Sequence, residues 1–273
     1  MTRTYVVALH CSGGNGAQWR HLRQMLPSQQ ELWCPHFFGT SWAGHWRGEH
    51  AFTLADEAAP IISMIDALGV RVHLVGHSYG GAVALRVARE RPAQIASMIL
   101  YEPTAFHILR TAGPDGDSVL DEVNSFGAAV DSAVLTGDHR TAARKFVEYW
   151  SWPGAWATMR KEAQADVIHY MPKACLDFRA LMFERTPLTV YRHFKFPALL
   201  LQGQQAREPM QVIGRQLAKA LRLGLPQTVD NAGHMGPMTH ASMVADLMAG
   251  FIKRHDDRDV VENGDAARYA RAA

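Results

Sequence analysis

Gly76-His77-Ser78-Tyr79-Gly80 places a serine between two glycines, each two residues away, where a short apolar run, Val72-His73-Leu74-Val75, meets an Ala/Val/Leu-rich stretch. A join from strand to helix at this point is a sharp turn. A Cβ at position 76 or 80 would collide with neighbouring strand or helix backbone, so glycine is required at both. The serine is pushed out of the sheet, and the first amides of the helix point at the space its hydroxyl faces, where they can hold a developing oxyanion. A serine hydroxyl is a weak nucleophile and needs a base for its proton, usually histidine at neutral pH. His234 suits that role. It lies in Asn231-Ala232-Gly233-His234-Met235-Gly236-Pro237, after a predicted strand, where flexible glycines let an imidazole reach over the sheet edge. The chemistry of such a pair is attack on an acyl carbon by Ser78 with His234 as general base.

Other reactive side chains carry weaker signals. Cys11, Cys34 and Cys175 form an odd set without C-x-x-C spacing, which fits free thiols in a reducing compartment. Cys11 reads as a small buried filler, since nothing near it in sequence marks it as ionised. His36, His45 and His50 share the loop over 35–50, but their spacing matches no familiar ligand set; they read as surface or pocket-lining residues, and no metal is expected.

The elements that must position Ser78 and His234 follow from hydrophobic periodicity. Tyr5-Val6-Val7-Ala8-Leu9 predicts a buried strand ending in a glycine-rich loop, His10 to Gly16. A helix is expected over 17–26 with Trp19, Leu22 and Leu26 on one side, then a strand over 31–35. Ala58, Ile61, Ile62, Ile65 and Leu68 give a helix over 55–68 that Gly69 can cap. The strand over 70–75 feeds the serine turn, a helix follows over 82–90, and a strand over 95–101 comes next. Strand and helix alternating through short connections imply a doubly wound, mainly parallel sheet with helices on both faces, an α/β fold. Over 104–193 helical patterns take over, with faces built on Val119, Leu120, Val123, Phe126, Val130 and Val134, and further helices over 142–150 and 156–168. This stretch reads as an inserted helical cap between two core segments, 1–103 and 194–254. The second segment holds a strand over 197–201, a helix over 210–221, a short strand over 227–229 and a closing helix over 241–252. Residues 255–273 carry many charges and little to bury, and read as a loose tail.

Composition narrows the partners. A chain of 273 residues is long enough for one large domain with an insertion, and with 48% hydrophobic residues, 20% charged and a net charge of +2 it has no polyanion-binding character. Nucleic acid is therefore not an expected partner. The absence of any long apolar run speaks against a membrane span, and Met1-Thr2-Arg3-Thr4-Tyr5 leads straight into a strand pattern without a signal-peptide core, so a cytoplasmic location is expected. Oligomeric state is open.

From Gly-His-Ser-Tyr-Gly-Gly, the late Gly-His loop and the early His10-Cys11-Ser12-Gly13-Gly14 segment, in that relation to the strands, the chain over 5–252 resembles a capped member of the α/β-hydrolase superfamily. The resemblance implies that the main-chain amides of Ser12 and Tyr79 hold the oxyanion, although the family usually has glycine where this chain has Cys11. It also implies a third triad member. Most relatives carry an aspartate in a Gly-X-X-Asp pattern after the strand over 197–201, where this chain reads Gly203-Gln204-Gln205-Ala206-Arg207. Glu208 lies two residues beyond the usual place, and Glu102 ends the strand after the nucleophile helix, where certain haloalkane dehalogenases carry their acid. Glu102 is favoured, as a carboxylate that holds His234 in the right tautomer and stabilises its imidazolium; Asp230 is the weaker option.

The expected activity is hydrolysis of a small-molecule ester through an acyl-enzyme, without cofactor. Trp42, Trp46, Trp150, Trp152 and Trp156 fall in two segments that the family fold would set around the cleft mouth, and are expected to line an apolar substrate pocket. An aspartate nucleophile would be expected for dehalogenation or epoxide opening. A carbon–carbon bond hydrolase, a lyase or cofactor-independent oxygenase, and a ligand-sensing protein without turnover remain as alternatives on the same fold.

Overall fold

Alternate residues of the central strands face opposite sides of a sheet that is covered on both, which is why their sequences read as unbroken apolar runs. A computed structural model describes residues 4–40 and 43–269. In chain order the core begins with β1 (Thr4–Leu9), a 3-10 turn at Gly16–Trp19, α1 (Arg20–Met25), β2 (Gln30–Trp33), α2 (Leu54–Leu68), β3 (Val72–His77), α3 (Tyr79–Glu90) and β4 (Ile95–Tyr101). The helices α4 (Pro114–Leu135), α5 (His139–Trp150), α6 (Ala155–Thr158), α7 (Lys161–Phe183) and α8 (Leu188–Tyr191) intervene. The chain then returns through β5 (Ala198–Gly203), α9 (Glu208–Ala220), β6 (Gln227–Val229), α10 (Gly236–Thr239) and α11 (Ala241–Tyr269).

The six strands pair in parallel in the order β2-β1-β3-β4-β5-β6. Val7, Leu9, Leu74, Met98, Leu100 and Leu200 pack on one side against α2, α3 and α9, through Ile61, Ile65, Val83, Ile213 and Leu217. Val6, Ala8, Val75, Ile99, Tyr101 and Leu201 face the other side, against Trp19, Leu22 and the α11 residues Val244, Met248 and Ile252. The chain leaves β1 for β2 on one side and crosses to β3 on the other, which opens a crevice beyond the carboxyl ends of β1 and β3. Register brings those ends level: Leu9 pairs with Gly76, His77 with Tyr101, Tyr101 with Leu201 and Gly203 with Val229. Ser12, Ser78, Glu102 and His234 therefore all belong to loops leaving the same edge of the sheet.

The helix expected over 156–168 is two helices. Met159 and Arg160 are extended between α6 and α7, and Gln164 Nε2 donates to the Trp156 carbonyl at 2.8 Å across the break. α7 then continues to Phe183, far beyond the expected end. The closing helix also outruns its expected range: α11 extends to Tyr269, so the stretch from 255 set apart as a tail is helical up to that residue, and 270–273 lie outside the described residues. Asp256 shows why charge alone misleads there, since its carboxylate accepts hydrogen bonds from Thr4 Oγ1 at 2.8 Å and Gln30 Nε2 at 2.6 Å on the strands β1 and β2.

The α4–α8 insertion has its own packed interior, with Val130, Ala142, Ala143, Trp156, Met171 and Ala174 at its centre. It is tied back to the core at the loop after β5, where Arg207 donates to Glu122 Oε1 of α4 at 2.9 Å and lies 4.1 Å over the Tyr149 ring of α5. A cavity of about 250 Å³ runs between α4, α5 and α7, walled by Phe126, Phe146 and Phe178 among others; neither Ser78 nor His234 is in its lining.

Candidate active site

Ser78 sits between β3 and α3 with φ 56° and ψ −120°, a left-handed backbone that a side chain rarely adopts. Its surroundings enforce that shape. The Ser78 amide donates to the Tyr101 carbonyl at 3.1 Å, and its own carbonyl accepts from Gly81, Ala82 and Thr104. A Cβ on Gly76 would lie 2.5 Å from the Gly80 carbonyl oxygen, and one on Gly80 would lie 2.4 Å from the carbonyl oxygens of both Leu9 and His10. The glycine spacing thus lets two strands and a helix meet closely enough to hold the serine out.

His234 reaches Ser78 from the loop after β6. Its Nε2 is 2.9 Å from Ser78 Oγ, and its Nδ1 is 2.8 Å from Glu102 Oε2. A carboxylate only accepts, so the bond to Glu102 places the proton on Nδ1 and leaves Nε2 free to accept from the serine hydroxyl. Glu102 follows β4 directly with φ 38°; its amide donates to the Leu201 carbonyl at 3.1 Å, and its Oε1 accepts from the Gly203 amide at 2.8 Å. All three side chains are buried, and the Trp150 ring lies 4.2 Å from the His234 ring at an interplanar angle of 32°. Glu208 is exposed on the first turn of α9 and Asp230 is exposed beyond β6; neither bonds His234.

Two residues that sequence reasoning passed over support the histidine. Tyr101 Oη donates to the Gly233 carbonyl and His77 Nε2 to the His234 carbonyl, both at 2.8 Å. Burial holds the His77 imidazole well below its ordinary pKa, with His234 adding to the effect, so the ring stays neutral with its one proton on the nitrogen that faces the carbonyl. Gly236 is needed beside this support, because a Cβ there would lie 1.9 Å from Tyr101 Oη. The signal was position: both residues lie within a residue of the proposed chemistry, at strand ends. Tyr101→Phe removes one of the two donors to the Gly233 carbonyl, the other being the Gly236 amide at 2.9 Å, and loosens the loop, so kcat for a reactive ester is expected to fall about tenfold with KM nearly unchanged, measured by steady-state kinetics.

Tyr79 is the first residue of α3, so its amide has no acceptor within the helix. The Cys11 amide is engaged by Gln18 Oε1 at 3.3 Å. The next amide along is that of Ser12. Burial pushes the Cys11 thiol up to about 12, which keeps it protonated at neutral pH. His50 pairs with Asp56 at the protein surface, and the His45 ring lies 6.4 Å from that of His169.

Of the four described tryptophans expected at the cleft, Trp150 alone meets His234. Trp46 packs edge-on against Phe38 and Phe52, Trp152 is 51% exposed, and Trp156 is buried inside the cap under Arg140. Trp42 lies outside the described residues. For the four described rings the expectation of a shared lining is corrected: closeness in sequence does not set direction, and Trp150, Trp152 and Trp156 around the end of α5 project different ways.

A six-stranded parallel sheet with a serine on a strained turn after its third strand and a histidine after its last defines a class of protein, the α/β hydrolases. The model described as "Alpha/beta hydrolase family" matches residues 6–247, and the chain belongs to that family. It is 29% identical over 130 residues to Lipase LipV of Mycobacterium tuberculosis, an alignment covering 46% of this chain and 44% of the lipase. It is 26% identical over 271 residues to the dihydrolipoyllysine-residue acetyltransferase component of the acetoin cleaving system of Pseudomonas putida, covering 92% of this chain and 64% of that one. The alignments thus span less than two thirds of either relative. Among solved structures, MGS-M2, an alpha/beta hydrolase from a Medee basin deep-sea metagenome library, superposes with a TM-score of 0.75 at 15% identity over 93% of this chain and 90% of its own. Among the described residues no helix is long and apolar enough to cross a membrane.

Proposed function

We propose that this protein is a serine hydrolase that cleaves small to medium apolar carboxylic esters through an acyl-enzyme. The observation that carries the reading is the unbroken chain of hydrogen bonds from Glu102 through His234 to Ser78. Ser78 Oγ attacks the acyl carbon as His234 Nε2 takes its proton, and the carbonyl electron pair moves onto oxygen, facing the amides of Ser12 and Tyr79. Collapse of the tetrahedral species breaks the ester C–O bond, and His234 gives its proton to the departing alcohol. Water then attacks the acyl-enzyme with His234 again as base, releasing the acid and restoring Ser78. Glu102 keeps Nδ1 protonated and faces the imidazolium of both half-reactions. The steps balance with ester and water alone. Trp150, tilted over His234, would form one wall of the apolar substrate site and exclude bulk water from the imidazole.

The carboxylate in bonding distance of His234 supports turnover over a ligand-sensing role, since it supplies the acid that the loop after β5 lacks. The test is covalent trapping. An alkyl fluorophosphonate should modify the protein once, and peptide mass spectrometry should place the adduct on Ser78, with a burst of p-nitrophenol from p-nitrophenyl butyrate matching the trapped fraction. Modification elsewhere, or none with every short ester inert, would turn the reading toward carbon–carbon cleavage, lyase chemistry or binding.

A further inference from the structure

Against the side chains of Ser12 and Tyr79 lies a cluster of buried charges that the proposed chemistry does not use. Glu57 of α2, Lys173 and Asp177 of α7 are 1%, 6% and 2% exposed. Lys173 Nζ donates to Glu57 Oε2 at 2.7 Å and to Asp177 Oδ1, and lies 4.5 Å from the centre of the Phe52 ring and 5.1 Å from that of Tyr79. Burial works against the Lys173 ammonium, but Asp177 and Glu57 outweigh it and raise its pKa, so it stays charged.

What the carboxylates do with their remaining lone pairs gives the cluster its meaning. Asp177 Oδ2 accepts from Ser12 Oγ at 2.7 Å and from the Tyr170 hydroxyl at 2.7 Å. Glu57 Oε2 accepts from the Tyr79 hydroxyl at 2.9 Å, and its Oε1 from the Phe38 amide at 2.9 Å. Ser12 and Tyr79 are the two residues whose amides face the nucleophile in the proposed mechanism, and each is gripped by its side chain. The Tyr170 ring also lies against Gly13, where an added Cβ would come within 3.3 Å of it. An oxyanion site gains rate only if its donors are fixed before charge develops. Ser12 is the donor in need of fixing, since it sits in an irregular loop outside the sheet ladder, whereas Tyr79 opens a buried helix.

We propose that Asp177 and Glu57, bridged by Lys173, are positioning residues that set the Ser12 and Tyr79 amides through the side-chain hydroxyls of those residues, so that seating of the cap helix α7 on the core completes the oxyanion site. The proposal rests on the assignment of those amides as oxyanion donors. Ser12 and Asp177 are 165 residues apart, on the first strand's loop and on the cap, so the bond between them forms only when the two parts are docked. Polar links of this kind fix a single arrangement of the parts they join.

The test compares the full-length parent with Ser12→Ala, Ser12→Thr, Asp177→Ala and the double variant Ser12→Ala/Asp177→Ala, using p-nitrophenyl butyrate kinetics and amide hydrogen exchange. Ser12→Ala removes a hydroxyl and keeps the amide. It is expected to lower kcat about tenfold with KM within about twofold, while Ser12→Thr recovers most of the loss. Adding Asp177→Ala to Ser12→Ala should lower kcat by less than about twofold more, because the contact through which Asp177 reaches the Ser12 amide is already gone. Exchange of peptides covering 10–16 should quicken severalfold in Ser12→Ala, with peptides of β3 and β4 unchanged. Asp177→Ala strips a buried charge of its partner and can fail to fold; Ser12→Ala then decides alone. Unchanged exchange and unchanged kcat in a folded Ser12→Ala protein, or additive losses in the double variant, would overturn the proposal. The exchange result needs no turnover: a parent inert on esters would sink the esterase reading, and loop exchange would still decide whether the cap holds Ser12.

Discussion

Ser78→Ala and Ser78→Gly are both expected to lower kcat/KM for p-nitrophenyl butyrate by about a thousandfold or more, and to fall in the reverse of the usual order of stability. Both remove the nucleophile and its bond to His234, so those losses cancel in the comparison. The backbone does not cancel. At φ 56° and ψ −120° any Cβ is strained, by about 1–3 kcal/mol in such regions. Glycine escapes the strain but gives back about 0.5–1 kcal/mol through the greater freedom of its unfolded chain. Ser78→Gly should therefore exceed Ser78→Ala in stability by about 1 kcal/mol, which for a chain of this size is a melting difference of about 2–4 °C by calorimetry. Equal melting of the two would mean that the turn stores no strain, and activity surviving either substitution would remove Ser78 from its role.

Glu102→Gln should lower kcat by about a thousandfold to ten-thousandfold, with the fold intact. The size of the effect follows from the second oxygen of Glu102. Oε1 is held by the Gly203 amide, so a glutamine would keep its oxygen there and turn its NH₂ toward His234 Nδ1. Facing a donor, Nδ1 must become the acceptor, and the ring proton moves to Nε2, which can then only donate to Ser78 Oγ and cannot take its proton. The base is then in the wrong tautomer. Glu208→Gln, on an exposed side chain with no bond to His234, should leave kcat/KM within about twofold. A loss confined to Glu208→Gln in steady-state assays would move the acid to the loop after β5 and refute the present placement.

The parts of the fold that were legible are those in which local pattern and burial agree. The strand over 95–101 was read to the residue, because every position of β4 is buried and Arg91-Pro92 stops the helix before it. Gly76, Ser78 and Gly80 were legible because a tight turn admits few residue types. The break at Met159 and Arg160 was not, since it depends on the Gln164 side chain satisfying a carbonyl that an unbroken helix would have satisfied itself. Lys173 and Asp177, four apart on α7, have the spacing of an ordinary surface ion pair, and only docking of α7 on the core buries them. Their apolar neighbours Tyr170, Met171, Ala174 and Cys175 were the available hint. The tryptophans show the converse failure, in which clustering along the chain suggested a shared wall that the ends of α5 and α6 do not build.

The loop after β5, where relatives are expected to keep their acid, has no part in the hydrogen-bonded chain through His234, and its Arg207 instead fastens the cap through Glu122 and Tyr149. Proton handling and cap attachment are thereby assigned to the ends of adjacent strands instead of competing for one loop. That separation leaves each task to its own set of hydrogen bonds. Substitution at Arg207 or Glu122 can therefore loosen how the insertion is fastened without removing any hydrogen bond of Ser78, His234 or Glu102, whereas Tyr149, which packs edge-on against Trp150, is the point where the two tasks still meet.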